Sequence, residues 1–587
     1  MLAALGALFA LVFIRQAVTT PTGWANSAAK EESYNRLVEG FQRGELSLDQ
    51  EAPPGLVALA HPYDPEANAP YRHPPYELHN LSYYRGRLYI YFGVVPALIL
   101  FWPWQALTGG YLFHREAAAI FCTVGFLASL GLLGGLGRRY FPRTGRGALL
   151  ALGLALAFLS SAPLLLQRAD LCEVPIACGY ALTMLALGAI WLTLHDRTRQ
   201  AWWLAGASLA MGLAVGARPT LVFGGVMLLV PWLLRPAGSP PWRLLACACV
   251  PLALCGVGLM AYNQLRFGSP FDFGQRYQLA VDDQGAVPHF SLSYLWFNFR
   301  VDFLAPVRWS RVFPYVGEIA PPPLPLNHGW VEDAFGALAN LPILCWALAA
   351  PLGWRGREGE ARRALRGFLL AVALLFGAST LVLGLFYWNA SRYEMDFLPS
   401  LAILSVAGIL GVERSLSGRP LWLWASRAAA ALALAFSIGF IGLDSVEHYG
   451  DERVQVGLIL QGTGRAAAAV PQFEAAIRAG VASAGVDNFL GNAMLQARQE
   501  PKAAAYYEDA LRLNPDFGAA QFNLANLFAH QGRFPEAEVH YRAALRVMPD
   551  SAAVHENLAA VLARMGRAAE ARRELAAAAT LRSGANP

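Results

Sequence analysis

Apolar residues fill Met1 to Ile14, a polar stretch follows from about Thr19 to Tyr91, and runs of spanning length then succeed one another along the chain. Helices that cross a bilayer are predicted at residues 1–18, 114–136, 147–166, 174–194, 201–217, 219–234, 243–263, 334–354, 366–388, 396–412 and 420–443. Phe92 to Thr108 is also apolar, but Pro96, Pro103, Trp102 and Trp104 give it the composition of a helix lying in the interface or entering part-way. Arginine positions settle its treatment. If that run does not cross, Arg138/Arg139/Arg143/Arg146, Arg197/Arg199, Arg235/Arg243, Arg355/Arg357/Arg362/Arg363/Arg366 and Arg414/Arg419 share one side, which must be the cytoplasm. The opposite short connectors keep only Arg168, Arg218 and Arg392. The pattern therefore predicts an all-α, polytopic bundle of about eleven spans, with the N-terminus inside. Two long loops, about 19–113 and 264–333, face the outer compartment.

The apolar runs stop near Val446, where a period of about 34 residues begins, the signature of tetratricopeptide (TPR) helix-turn-helix units. Pro515 recurs as Pro549, Gly532 as Gly566, Leu524/Ala525 as Leu558/Ala559, Ala537 as Ala571, Tyr507 as Tyr541 and Ala510 as Ala544. Gly464, Ala469, Phe473 and Ala476 form a degenerate upstream echo. Residues 446–587 are thus expected to form an α-solenoid on the outer side, following a membrane domain at 1–445. Such a stack either caps the membrane part or presents a concave surface to a peptide or partner protein.

Composition narrows the function. With 56% hydrophobic and 15% charged residues over 587 positions, the bilayer is the expected main solvent. A net charge of +5, carried almost wholly by scattered arginine, is too modest for a nucleic-acid binder. The seven cysteines lie nearly all inside apolar runs without the paired spacing of a zinc site, so no disulfide framework is expected. His289 and His328 in the second loop are isolated. No metal site is assigned, and a divalent metal stays open as a cofactor.

Candidate chemistry gathers at the predicted outer face. The first loop opens with Glu31-Glu32-Ser33-Tyr34, a later connector reads Arg168-Ala169-Asp170-Leu171-Cys172-Glu173-Val174-Pro175, and Arg218-Pro219 and Arg392-Tyr393-Glu394-Met395-Asp396 follow. Charges near hydrocarbon are costly, so their convergence marks a functional site. Each also has a plainer role: Glu31 and Glu32 as a solvated helix start, the arginines as headgroup contacts, and Tyr83, Tyr84, Tyr89 and Tyr91 as an interfacial belt.

These motifs resemble the GT-C superfamily of membrane glycosyltransferases, which includes protein O-mannosyltransferases and the aminoarabinose transferases of lipid A. Glu31-Glu32-Ser33-Tyr34 is similar to the acidic pair that opens the first outer loop in that group, and Glu173-Val174-Pro175 to its later acid before a proline. The stretch from Tyr83 to Pro96, the Tyr262-Asn263-x-x-Arg266-Phe267-Gly268-Ser269 segment and Arg392-Tyr393 with Pro399 are similar to further segments of its bacterial members. Asn80 departs from the pattern, standing where many relatives carry an acid. A GT-C-like part joined to TPR repeats also resembles the animal transmembrane-and-TPR O-mannosyltransferases in architecture.

The resemblance, which covers about residues 1–443, implies a polyprenyl-phosphate sugar as donor, attack with inversion, and a bacterial inner-membrane protein with its active site and repeats in the periplasm. Among the groups available, Arg168, Arg218 and Arg392 suit the phosphate, because cations offset charge developing on the leaving group. Glu31 is the first choice as general base, with Glu32 beside it and Glu173 as orienting partner or second acid. Asp170, Tyr34, Tyr84 and Tyr393 are candidate pocket residues. A non-catalytic membrane scaffold for TPR-bound partners in envelope assembly is the alternative. A lipid or sugar transporter is the third, though no mid-span charges or inverted repeat support it.

Overall fold

The computed structural model describes residues 1–19, 29–72, 76, 78–91, 93–235, 241–311, 313–481 and 483–583. Phe92, the start of the predicted interfacial run, lies outside them, as do residues 20–28 of the first loop and 236–240 between Arg235 and Arg243. The chain is mostly helical, with three two-stranded pairings as its only sheets among the described residues. Its contacts divide it into two compact units, Met1–Arg311 with Tyr315–Ser445, and Val312–Pro314 with Val446–Pro587.

Among the described residues, seven helices are long and apolar enough to cross a membrane: His114–Tyr140, Arg146–Arg168, Glu173–His195, Trp242–Phe267, Gly359–Leu385, Leu398–Ser415 and Pro420–Gly462, the last of which begins in the first unit and ends in the second. Leu2–Gln16, Ala97–Thr108, Pro219–Leu233 and Pro342–Gly353 are shorter apolar helices, and Gln200–Ala217 is a further helix at a predicted span. The expected span at 334–354 is broken: Ala337–Asn340 ends at Leu341, and Pro342 begins a separate helix to Gly353. Proline, lacking an amide hydrogen and restricting the residue before it, explains the break. In the run at 92–108 the winding loosens over Ala97–Phe101 and then tightens to α over Trp102–Thr108, where Leu107 is 86% exposed.

Small residues let these helices close on one another. Gly125 of His114–Tyr140 faces the Tyr180 ring of Glu173–His195, and a Cβ at Gly408 would overlap the Trp346 carbonyl. Phe9, Phe13, Phe126 and Phe158 interlock edge-to-face where the first helix packs onto His114–Tyr140. Outside the helices, Leu81–Tyr84 and Arg87–Ile90 form an antiparallel hairpin, and Val331–Glu332 pairs in parallel with Asn389–Ala390.

The second unit is a run of helix pairs: Ala466–Arg478 follows the last turns of Pro420–Gly462, then come Ala484–Gln496 with Glu500–Leu513, Gly518–His530 with Phe534–Val547, and Ala552–Arg564 with Ala568–Ser583. Each first helix ends on a residue in the left-handed region: Gly464, Arg498, Gly532 and Gly566, with φ of 77, 59, 77 and 79°. Glycine takes that conformation without a steric penalty, which is why it recurs at this slot. Ala469, Ala503, Ala537 and Ala571 are all buried in second helices.

Candidate functional site

Three arginines meet on one cavity of about 760 Å3 in the first unit, lined by Arg168, Arg218, Arg392, Tyr393, Glu332 and Asp282 among others. Local sequence explains how each is presented. Arg218 precedes Pro219, is held extended at φ −133° and ψ 97°, and so closes the Gln200–Ala217 helix. Arg168 ends the Arg146–Arg168 helical run, and Arg392 sits in the turn Ser391–Asp396 after the short strand Asn389–Ala390.

Their partners are carboxylates. One Glu332 oxygen, Oε1, accepts from Arg168 at 2.7 Å and from Arg392 at 2.6 Å. Burial works to raise the Glu332 carboxyl, but Arg392 and then Arg168 outweigh it and hold it down at about 2. Arg218 donates to Asp396 Oδ2 at 2.7 Å, and both members of this pair are buried. The Tyr393 ring meets both cations, its centroid 5.0 Å from the Arg218 guanidinium and 5.3 Å from that of Arg392.

A second set of charges adjoins the first. Glu173, buried in the first turn of its helix, accepts from the Asp170 amide at 3.1 Å and stands 3.9 Å from Arg392. His114 heads the His114–Tyr140 helix and places Nδ1 at 3.4 Å from Glu32 and 3.7 Å from Asp170. Its backbone amide also donates to Glu32. Burial raises the Glu32 carboxyl against the opposing pull of His114. A chain of neighbouring charges thus runs from Glu32 through His114, Asp170, Glu173, Arg392 and Glu332 to Arg168.

The two long loops both contribute to the cavity. From the first come His79, Asn80 and Tyr91, and from the second Gln275, Gln278, Asp282 and Gln284. Asn80, with φ of 64°, accepts from Gln278 at 2.7 Å and donates to the Cys172 sulfur at 3.4 Å, tying both loops to the connector before Glu173.

Of the sequence-predicted residues, Arg168, Arg218, Arg392 and Tyr393 line the cavity, Glu173 stands beside Arg392, and Asp170 and Glu32 lie further along the chain of charges, outside the lining. Glu31 does not: it is exposed in the turn Ala29–Glu31, before the chain folds inward. Tyr34 is fully buried, stacked on Phe101 at 5.1 Å and edge-on to His114 at 5.6 Å. Tyr84 packs against Tyr277 and Phe267 and is not part of the lining. His289 and His328 are engaged by Gln284 at 3.1 Å and Asn298 at 3.0 Å, with no carboxylate among those contacts.

Sequence reasoning missed Glu332, Asp282 and His114. His114 carries a local signal, since it begins a long apolar helix within His114-Arg115-Glu116. Glu332 and Asp282 carry none, being acids in a long loop that holds several others.

Fold and site define a mostly helical protein whose first unit gathers buried charge on a cavity and whose C-terminal region carries TPR repeats. Tetratricopeptide-repeat family models match residues 457–516, 490–546 and 528–581. Similar solved structures include a crystal structure of MamA, 14% identical, covering 30% of this chain and 88% of that one with a TM-score of 0.23. Another is YrrB, described as a TPR protein with an unusual peptide-binding site, 22% identical over 29% of this chain and 91% of that one, with a TM-score of 0.21. No curated protein matches the chain.

Proposed function

We propose that this protein is an integral membrane glycosyltransferase that moves a sugar from a polyprenyl-phosphate donor to an acceptor hydroxyl at the outer face of a bacterial inner membrane. The observation that carries the reading is the meeting of Arg168, Arg218 and Arg392, three cations from separate connectors, on one cavity. A phosphate leaving group gathers negative charge as the glycosidic bond breaks, and fixed guanidinium groups stabilise it without reorganising. Aromatic and amide side chains on the same walls, Tyr387, Trp388, Gln278 and Gln284 among them, suit a sugar.

A membrane setting is supported by outward apolar surface on long helices: on Trp242–Phe267, Trp242 is 70% exposed and Leu254 66%. A second apolar hollow of about 510 Å3, lined by Val95, Leu98, Trp102, Leu259 and Tyr262, is of the chemistry an isoprenoid tail requires. Among the described residues, the lining of the arginine-bearing cavity holds two carboxylates. Glu332 is taken by two arginines, whereas Asp282 makes no ion pair among the described residues. Asp282 therefore takes the role of general base that the sequence had offered to Glu31.

The test is transfer of radiolabelled sugar from a panel of polyprenyl-phosphate sugars by detergent-purified protein. Arg392→Ala and Asp282→Asn are each expected to lose about a hundredfold or more, with Glu31→Gln near wild type. Transfer that survives both changes would remove this site. The TPR array favours a second reading, a membrane-anchored scaffold without catalysis, and absence of transfer from every donor together with retained partner binding would select it.

A further inference from the structure

Away from the cavity, two helix ends of the first unit meet where positive charge gathers without a counter-charge. Pro342–Gly353 and His114–Tyr140 both stop there. Arg357 donates from Nε to the Gly353 carbonyl at 2.8 Å and from Nη2 to the Tyr140 carbonyl, and so closes both helices. Arg414, in the last turn of Leu398–Ser415, donates from Nη1 to the same Gly353 oxygen at 3.1 Å and from Nη2 to the Arg355 carbonyl at 2.9 Å. Two guanidinium groups thus converge on one carbonyl oxygen. Gly356, at φ 67°, lets the connector pass so closely that an added Cβ would sit 3.4 Å from Arg414 Nη2.

Closing a helix end accounts for one such arginine. It does not account for two on a single oxygen, because a neutral carbonyl satisfies N–H donors without cancelling their charge, and like charges held so near repel. The Tyr140 and Phe141 rings, 5.1 and 5.2 Å from the Arg357 guanidinium, steady it without neutralising it. Burial and then Arg414 lower that guanidinium from its ordinary value. The nearby carboxylates are engaged elsewhere: Glu360 accepts from Arg197 at 2.9 Å and Glu413 from Arg427 at 3.0 Å. Glu358 is exposed and, among the described residues, pairs with neither arginine. A guanidinium has five N–H donors, so both keep donors for an acceptor that also brings negative charge.

Apolar surface lies beside these cations. Leu348 of Pro342–Gly353 is 88% exposed, and the half-buried Trp354 follows directly on Gly353. Fixed cations at the ends of outward-facing apolar helices match a lipid, with acyl chains along the helices and a phosphate at their ends. We propose that Arg357 and Arg414 form a binding site for the phosphate group of an anionic phospholipid, on the side assigned to the cytoplasm. One phosphate bridges both guanidinium groups. A zwitterionic lipid binds less well, because its ammonium returns the positive charge that no free carboxylate meets here. The inference rests on the proposed membrane setting and not on the sugar-transfer chemistry.

The test adds dioleoyl phosphatidylglycerol or dioleoyl phosphatidylcholine to the full chain in detergent and counts bound lipids by native mass spectrometry. Phosphatidylglycerol is expected to bind about tenfold or more tightly. Arg357→Gln combined with Arg414→Gln keeps an N–H donor at each carbonyl, removes the charge, and brings the two lipids within about twofold. Arg362→Gln combined with Arg363→Gln, two exposed arginines close by in sequence, keeps the preference. Equal binding of both lipids by wild type would overturn the proposal, as would the same loss in both double variants, the mark of a diffuse basic surface. Inorganic phosphate at about 10 mM is expected to leave the lipid bound, and displacement by it would assign the arginines to a soluble phosphate instead. Should the first double variant unfold, a photoreactive phosphatidylglycerol headgroup on the wild-type chain still decides, since crosslinks away from residues 353–357 and Arg414 would sink the site. Release of the chain from membranes without detergent would separately remove the membrane setting.

Discussion

Glu332 decides the electrostatics of the cavity, because one of its oxygens holds two guanidinium groups that come from connectors far apart in the chain. Its carboxyl lies near 2 in the folded protein against an ordinary value of 4.5. A depressed carboxyl stabilises the fold fully above its unfolded value, and the contribution drains away as pH falls through the folded one. Glu332→Gln is therefore expected to cost on the order of 3 kcal/mol at neutral pH, with the gap to wild type narrowing between about pH 4.5 and pH 2. Thermal unfolding in detergent across that range measures it, and a gap constant with pH would remove the ion pairs from the account. The arginines were legible beforehand, since a lone cation on a short connector beside apolar helices stands out. Glu332 was not, because a carboxylate between Val331 and Asp333 in a long loop looks the same whether it meets solvent or two arginines.

At the level of elements, proline makes helix ends readable and glycine hides the approaches between them. Arg218-Pro219 announces where Gln200–Ala217 stops. A close approach hidden in this way lies at Gly93, where an added Cβ would overlap the Gly216 carbonyl two residues before Arg218. Gly93→Ala must push the segment after the hairpin away from the helix end. A fall of about tenfold or more in sugar transfer is expected, with secondary structure retained by circular dichroism. Wild-type transfer by Gly93→Ala would mean that the helix end moves without disturbing Arg218. The repeats show the other side of legibility. Their period of about 34 fixes small and aromatic slots visible in one sequence, and it locates Arg498 midway between Gly464 and Gly532, yet that a residue other than glycine keeps the left-handed conformation there is shown only by its φ of 59°.

For the whole molecule, the proposed orientation places Asp282 and the repeats outside and the arginine-rich connectors inside. A membrane-impermeant maleimide applied to intact spheroplasts is expected to label Lys502→Cys, and Arg419→Cys only after permeabilisation, each above the background of the native thiols. The reverse pattern would invert the topology and remove the periplasmic assignment. The chain's sequence by itself marked the TPR region through the recurrence of small residues and supplied the proposed sidedness through arginine bias, whereas of the roughly eleven expected spans seven helices among the described residues are long and apolar enough to cross a bilayer. Those are properties of single segments, and local chemistry suffices to read them. Which acid meets which arginine, the exclusion of Glu31 from the cavity and the burial of Tyr34 were decided only by tertiary structure. Each depends on groups brought together from distant segments, and the free energy of a buried charge or amide is set by those neighbours rather than by the residues beside it in the chain.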